Sequence, residues 1–377
     1  MAGDVVAIYS DTYHPATDGV VTYIDSLRKV LINNNYRPVV VTTSSHPLSG
    51  MTDVFYTKGF VFRPYPQYDV SIRPFSRNKK VLDLDPFVIH SQTPFSMGIS
   101  SLVLGKKTGA RKVATFHSMV FHDGALSAYI SRNPFVQKQS KRLLIRYLRW
   151  HYSKFDLVIS PSNFLKRHLT EIGIENVRVI NNGVDIERYL NGPEKNLARK
   201  ALNIKPEEKI ALYLGRIGLE KNLEILIKSL PFLKKYGFKL YIVGGGPHLD
   251  HFRTMCSPSD AGSIIFTGRV SEDAKILYYS AADVFINPSE FEVLSTVDIE
   301  SLASGTPILV PADSSQEEII TRGIGGDTFE PGKSADLAEK AEEIYQHISS
   351  YNPRKDATKF SLENHFKSIM KVYLEDH

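Results

Sequence analysis

Glu292 and Glu300 stand eight positions apart in the stretch EVLSTVDIESLASGTP, the first ahead of what reads as a helix and the second inside it. A carboxylate is costly to bury without a partner, so this spacing points to a ligand or a cation that meets both acids. The run Ser295-Thr296-Val297-Asp298 has the form of a capping box. It predicts that Ser295 caps a helix running to Gly305, with Pro307 just beyond. The amino end of such a helix favours an anion such as a diphosphate. Carboxylates beside it would accept hydrogen bonds from hydroxyls, those of a sugar or a ribose being natural donors. The bland reading is that both are solvated surface acids.

Other residues suited to chemistry follow apolar runs. Arg216 and Lys221 lie in GRIGLEKN, and a guanidinium fork and an ammonium both suit phosphate oxygens. IVGGGP at 242–247 places three glycines after a run, where they would clear space. FTGRV at 266–270 follows another, and its backbone could flank a flat base. GGGP lacks the G-x-G-x-x-G order of a dinucleotide oxidoreductase. Gly19 sits at a predicted helix entrance, where a phosphate could approach closely, although one glycine there is usually a turn. His117 and His90 end two further runs, and a single histidine is more often structural than catalytic. Asp83 and Asp85 spell the DxD of metal-dependent transferases, but they precede a run instead of following it. Asp85-Pro86 reads as a turn into the strand.

The elements that must position these residues repeat one grammar. DVVAIYSD, RPVVVTTS, FVIHSQ, KVATFHS and FDLVISPS are short apolar runs ending in small polar residues, with helical patterns between. KIALYLGR, KLYIVGGG, SIIFTGRV and DVFINPS repeat this in the second half. Strands buried on both faces and separated by helices predict parallel sheets, hence two doubly wound α/β domains. The border falls near NNG at 181–183, giving domains 1–183 and 184–377, with the last helix able to pack back on the first. Ligands of such sheets bind outside the carboxyl ends of the strands, where the singled-out residues lie.

The 377 residues suit two domains, and a hydrophobic fraction of 42% with 23% charged suits a globular chain. No apolar run is long enough for a membrane span, and the amino terminus lacks the basic and apolar segments of a signal peptide. Cys256 is the single cysteine, which excludes an intrachain disulfide and a cysteine-built metal site. A cytoplasmic protein is expected. The net charge of +5 hides an asymmetry: residues 1–183 carry 23 Lys/Arg against 12 Asp/Glu, and residues 184–377 carry 23 against 29. A basic half suggests an anionic partner. No nucleic-acid recognition motif accompanies it.

GRIGLEKN, IVGGGP, FTGRV and the Glu-x7-Glu stretch, with DTYHPATDGVVTYI, HSQTPFSMG and TFHS before them, resemble in order the family 4 retaining glycosyltransferases of GT-B fold. That fold sets two Rossmann-like domains facing across a cleft. The resemblance implies a nucleotide diphosphate sugar held mostly by the second domain, with the first on the acceptor side. By the family pattern Arg216 and Lys221 hold the diphosphate and neutralise the leaving group. Glu292 contacts sugar hydroxyls, Glu300 the ribose, Gly19 the phosphates and His117 the sugar near the reacting carbon. Gly215, Gly245, Arg269, Val270, Leu294, Ser295 and Thr296 complete the donor set. The resemblance implies no metal and no cofactor besides the donor. Two departures stand out. Leu294-Ser295-Thr296 replaces a Phe-Gly-Leu found in many members, and Asp18-Gly19 replaces a Gly-Gly pair, so Asp18 is expected to point away from phosphates or to meet the acceptor.

Within the family the first-half motifs most resemble members that glucosylate diacylglycerol. The segment 137–155 reads as a helix carrying Lys138, Lys141, Arg142, Arg146 and Arg149 beside leucines and Trp150, a composition suited to an anionic lipid surface. IRPFSRNKK, from Ile72, adds a second basic patch holding Phe75. The expected protein is a hexosyltransferase, UDP-glucose being the first choice of donor, peripheral on the inner face of the cell membrane. Two other readings fit the same residues: transfer to a soluble sugar, sugar phosphate or glucan, and nucleotide-sugar binding without turnover.

Overall fold

The structure is a computed structural model that describes residues 4–61, 69–117, 133–290 and 292–375. The chain forms two compact units, Met1–Gly183 with Leu362–His377, and Val184–Ser361. The second unit therefore ends at Ser361 and does not run to residue 377.

The first unit holds strands β1 (Val5–Ser10), β2 (Arg37–Ser44), β3 (Val54–Val61), β4 (Asp69–Ser71), β5 (Val88–Ser91), β6 (Arg111–Thr115), β7 (Leu157–Ser160) and β8 (Val177–Val179). They lie in the order β4-β3-β2-β1-β5-β6-β7-β8. All neighbours are parallel except the edge pair β3–β4, which is antiparallel. The helix Gly19–Asn33 lays Val20, Ile24, Leu27 and Leu31 on this sheet, a spacing that keeps one stripe buried. Ile369, Val372 and Tyr373 of the closing helix Leu362–Leu374 join the same core, which is why the carboxyl-terminal segment belongs to this unit. Each such aliphatic side chain taken out of water contributes about 1.5–3 kcal/mol.

The second unit holds β9 (Lys209–Leu214), β10 (Phe238–Val243), β11 (Ile264–Gly268), β12 (Val284–Ile286), β13 (Ile308–Pro311) and β14 (Gly326–Phe329). The order is β11-β10-β9-β12-β13-β14, all parallel. One core lies on each face of this sheet, as a doubly wound domain requires. Strand order reverses between β9 and β12 here, and between β1 and β5 in the first unit. Such reversals leave a crevice at the carboxyl edge, the usual seat of a ligand.

Candidate donor site and acceptor face

The crevice of the second unit is flanked by the loop after β9 and the loop after β12. The first begins at Gly215 and Arg216, turns through a short 3-10 helix, Leu219–Lys221, and reaches Asn222 in the left-handed region at φ 53°. Tyr213, buried at the end of β9, donates its hydroxyl to the Arg216 carbonyl at 2.8 Å and holds the loop down. Arg216 is ion-paired with Glu220, and Lys221 with Glu292. Burial alone would lower the Lys221 pKa, but the charge and hydrogen bond of Glu292, with Glu220 behind it, outweigh burial and raise it. Asn222 fastens the two loops together, donating to Glu290 Oε1 at 3.0 Å.

The helix after β12 is Thr296–Ser304, ending at Gly305 with φ 90°. Ser295 does not cap it with its side chain. Its Oγ instead accepts from Asn287 Nδ2 at 3.0 Å, and the same amide group donates to Asp298 Oδ1 at 2.8 Å. Asn287, at the end of β12, thus takes both halves of the expected capping box, and Ser295 leaves the first-turn N–H groups without a side-chain cap. Thr296 opens the helix, and Leu294 packs into the core before it. Glu300 accepts from the Tyr279 hydroxyl at 2.9 Å. Burial raises its pKa, with Lys275 and Tyr279 opposing.

The glycines after β10 make room for backbone. A Cβ on Gly244 or Gly246 would fall on the carbonyl oxygens of Gly215 and Ile217, far inside contact distance. Gly215 N–H donates to Val243 at 3.0 Å, and Ile217 N–H to Gly245 at 3.1 Å. The expected clearance for a ligand is therefore taken by the Arg216 loop at two of the three positions. Gly245 differs, since its nearest neighbour would be Arg269 Cβ at 3.6 Å. Arg269 is exposed after β11, and Val270 turns into the core.

Gly19 and His117 belong to the first unit. Gly19 opens the helix Gly19–Asn33 with open space where a Cβ would stand. Asp18 caps that helix, accepting from Val20 and Val21 N–H at 2.9 and 3.0 Å and from Thr12 Oγ1 at 2.7 Å. His117 Nε2 meets Gln92 Oε1 at 2.7 Å, and its ring stands edge-on to Tyr23. Burial lowers its pKa to about 3, and the neighbouring His365 pushes it the same way, so the ring is neutral. His90 is satisfied on both nitrogens, by Tyr373 Oη at 2.6 Å and Thr115 Oγ1 at 2.7 Å, as a structural histidine would be. Asp83 and Asp85 lie in the turn between the helix Asn78–Leu82 and β5, at the edge opposite the strand ends.

Residues 17–188 match the family model described as Glycosyltransferase Family 4, and residues 194–359 the one described as Glycosyl transferases group 1. The chain is a family 4 glycosyltransferase. It is similar to the alpha-monoglucosyldiacylglycerol synthase of Streptococcus pneumoniae, at 28% identity over 84% of this chain and 73% of that one. The synthase of the same name from Acholeplasma laidlawii is 24% identical over 91% and 87%. Among solved structures, Anabaena HepE in complex with UDP superposes with a TM-score of 0.75 at 16% identity, covering 98% of this chain and 99% of that one. The fold is GT-B.

The basic segment of this glycosyltransferase is the helix Pro134–Tyr152, capped by Asn133. Leu148 and Tyr152 are buried, whereas Leu143 is 69% and Trp150 50% exposed. Val136, Leu143 and Trp150 recur every seven residues on one outer face, and Lys138, Arg142, Arg146 and Arg149 are exposed beside them. Lys141 is partly buried. Among the described residues no helix is long and apolar enough to cross a membrane. Sequence reasoning missed Tyr213, Glu220, Asn287 and the burial of Asp298. Only Asp298 gave a signal, an acid amid Val297 and Ile299 in a predicted helix.

Proposed function

We propose that this glycosyltransferase moves a hexose from a nucleotide diphosphate sugar, UDP-glucose being the first choice, to a hydroxyl of a membrane lipid, with retention of configuration and without a metal ion. The observation that carries the lipid acceptor is the outer face of the helix Pro134–Tyr152. Leucine and tryptophan pointing outward beside four basic side chains are complementary to an anionic bilayer surface. A second patch supports it: Phe60, Ile72 and Phe75 are about half exposed among Lys58, Arg73, Lys79 and Lys80. Both patches are tied to the loop after β5, since Tyr147 donates to the Pro94 carbonyl and Ser71 N–H to Ser96 Oγ at 3.2 Å. Each cation near an anionic surface contributes about 1 kcal/mol, enough in sum for reversible, peripheral attachment. The two relatives named as glycolipid synthases support the same reading.

On the donor side, Arg216 and Lys221 neutralise the diphosphate at the mouth of the uncapped helix Thr296–Ser304. Glu292 accepts from sugar hydroxyls and Glu300 from the ribose, while Gly245, Arg269 and Val270 flank the base. The bond from the anomeric carbon to the diphosphate breaks with its electron pair on the departing oxygen. The acceptor oxygen bonds the same face, and its proton passes to the leaving phosphate. Two fixed cations supply the charge stabilisation that such a departure needs.

The test is nucleotide release from a panel of UDP- and GDP-sugars, with and without diacylglycerol in mixed micelles. Lipid-dependent release from one donor is the expected result. Release only with soluble sugars would overturn the lipid acceptor and keep the transferase. Tight donor binding without release would point to binding without turnover.

A further inference from the structure

Asp298 is fully buried in the first turn of the helix Thr296–Ser304, an expensive place for a carboxylate. Oδ1 accepts from Asn287, but Oδ2 has no hydrogen-bond partner. The side chains that act on it electrostatically come from four directions. Lys221 reaches from the loop after β9, Glu292 from the loop after β12, Tyr213 from β9 and Tyr279 from the helix Glu272–Ala281. A negative charge at this point competes with any anion drawn to the same first turn.

We propose that Asp298 is a proton-linked positioning residue of the donor site: it takes up a proton when the donor's diphosphate occupies the first turn of the helix Thr296–Ser304 and releases it when the site empties. The inference rests on the donor placement proposed above. The orphaned Oδ2 is where the proton sits, and solvent supplies it. Burial raises the Asp298 pKa, Glu292 raises it further, and Asn287, Ser295 and Lys221 oppose, leaving it at about 7. A carboxyl poised there responds to small changes in nearby charge. A diphosphate beside Lys221 adds negative charge and draws on that cation, which favours the ionised form, so both effects push toward the neutral acid. Asp298 touches no reacting atom. It acts by removing a competing charge from the turn that holds the phosphates.

The test is calorimetric titration of the full chain with UDP in two buffers of different ionisation enthalpy, on the wild type and Asp298→Asn. At pH 7 the wild type is expected to take up about half a proton more than the variant, the excess vanishing near pH 5 where Asp298 is already protonated. Ionisation of UDP itself cancels in the comparison. Should the variant fail to fold, the UDP-induced infrared difference spectrum of the wild type gives a second reading, with a carboxylic-acid stretch appearing on binding. Equal proton uptake by both proteins, or no such band, overturns the inference and leaves the donor site standing. Absence of UDP and GDP binding to the wild type would remove the donor site, and the inference with it.

Discussion

The Lys221 ammonium, on the loop after β9, is ion-paired with the Glu292 carboxylate, on the loop after β12. The pair bridges the two loops at the point where strand order reverses, so the groups assigned to phosphate and to sugar share one anchor. Lys221→Ala and Arg216→Ala are each expected to lower kcat by about a hundredfold or more, because each removes a cation from the departing diphosphate. Steady-state nucleotide release measures this. Near-normal turnover in both variants would show that the diphosphate binds elsewhere.

The Arg216 loop is also held from the side. Gly244, at φ 141°, and Gly246 let it approach closer than any Cβ allows. Alanine at either position is expected to cost about 1–3 kcal/mol and to reduce turnover by moving Arg216. Gly245→Ala, with its nearest neighbour at 3.6 Å, should leave both close to wild type. Thermal midpoints and turnover of the three variants separate a backbone contact from a general intolerance of side chains.

The helix Pro134–Tyr152 offers a similar internal contrast. Leu143→Glu with Trp150→Glu is expected to abolish sedimentation with anionic vesicles at low salt while shifting stability by less than about 0.5 kcal/mol, since both side chains face outward. Leu148→Ala, at a fully buried position, should cost about 2–5 kcal/mol of stability. Vesicle binding that survives the double substitution would assign this face to something other than lipid.

The strands flanking both crevices were legible because each is a buried apolar run ending in small polar residues, as in KIALYLGR and DVFINPS. The edge strands β4, β8 and β14 were not. Asp69, Arg178 and Asp327 break their apolar pattern, and only a neighbouring strand makes them extended. The pairing of Lys221 with Glu292 needs two loops 71 residues apart, and no local signal reports it. Ser295 failed for the same reason: the pattern of a capping box is local, but Asn287 arrives from the end of β12 and takes the hydroxyl. Gly244–Gly246 were expected to clear space, but at Gly244 and Gly246 that space is filled by the protein's own backbone, which no local pattern reports.

Asp298 makes stability depend on pH in a definite direction. Its folded pKa of about 7 lies above the ordinary carboxylate value of 3.8, so between those values the native state binds more protons than the unfolded chain. Stability contributed at this site therefore falls as pH rises through that window and is level above it. Asp298→Asn cannot ionise, and its advantage over wild type should grow from near zero at pH 4 to about 4 kcal/mol at pH 8. Other buried groups, such as His117 and His365, titrate in both proteins and cancel in the difference. Denaturant unfolding of the two proteins across this range gives the curve. A difference independent of pH would mean that Asp298 stays charged in the fold, which its orphaned Oδ2 argues against.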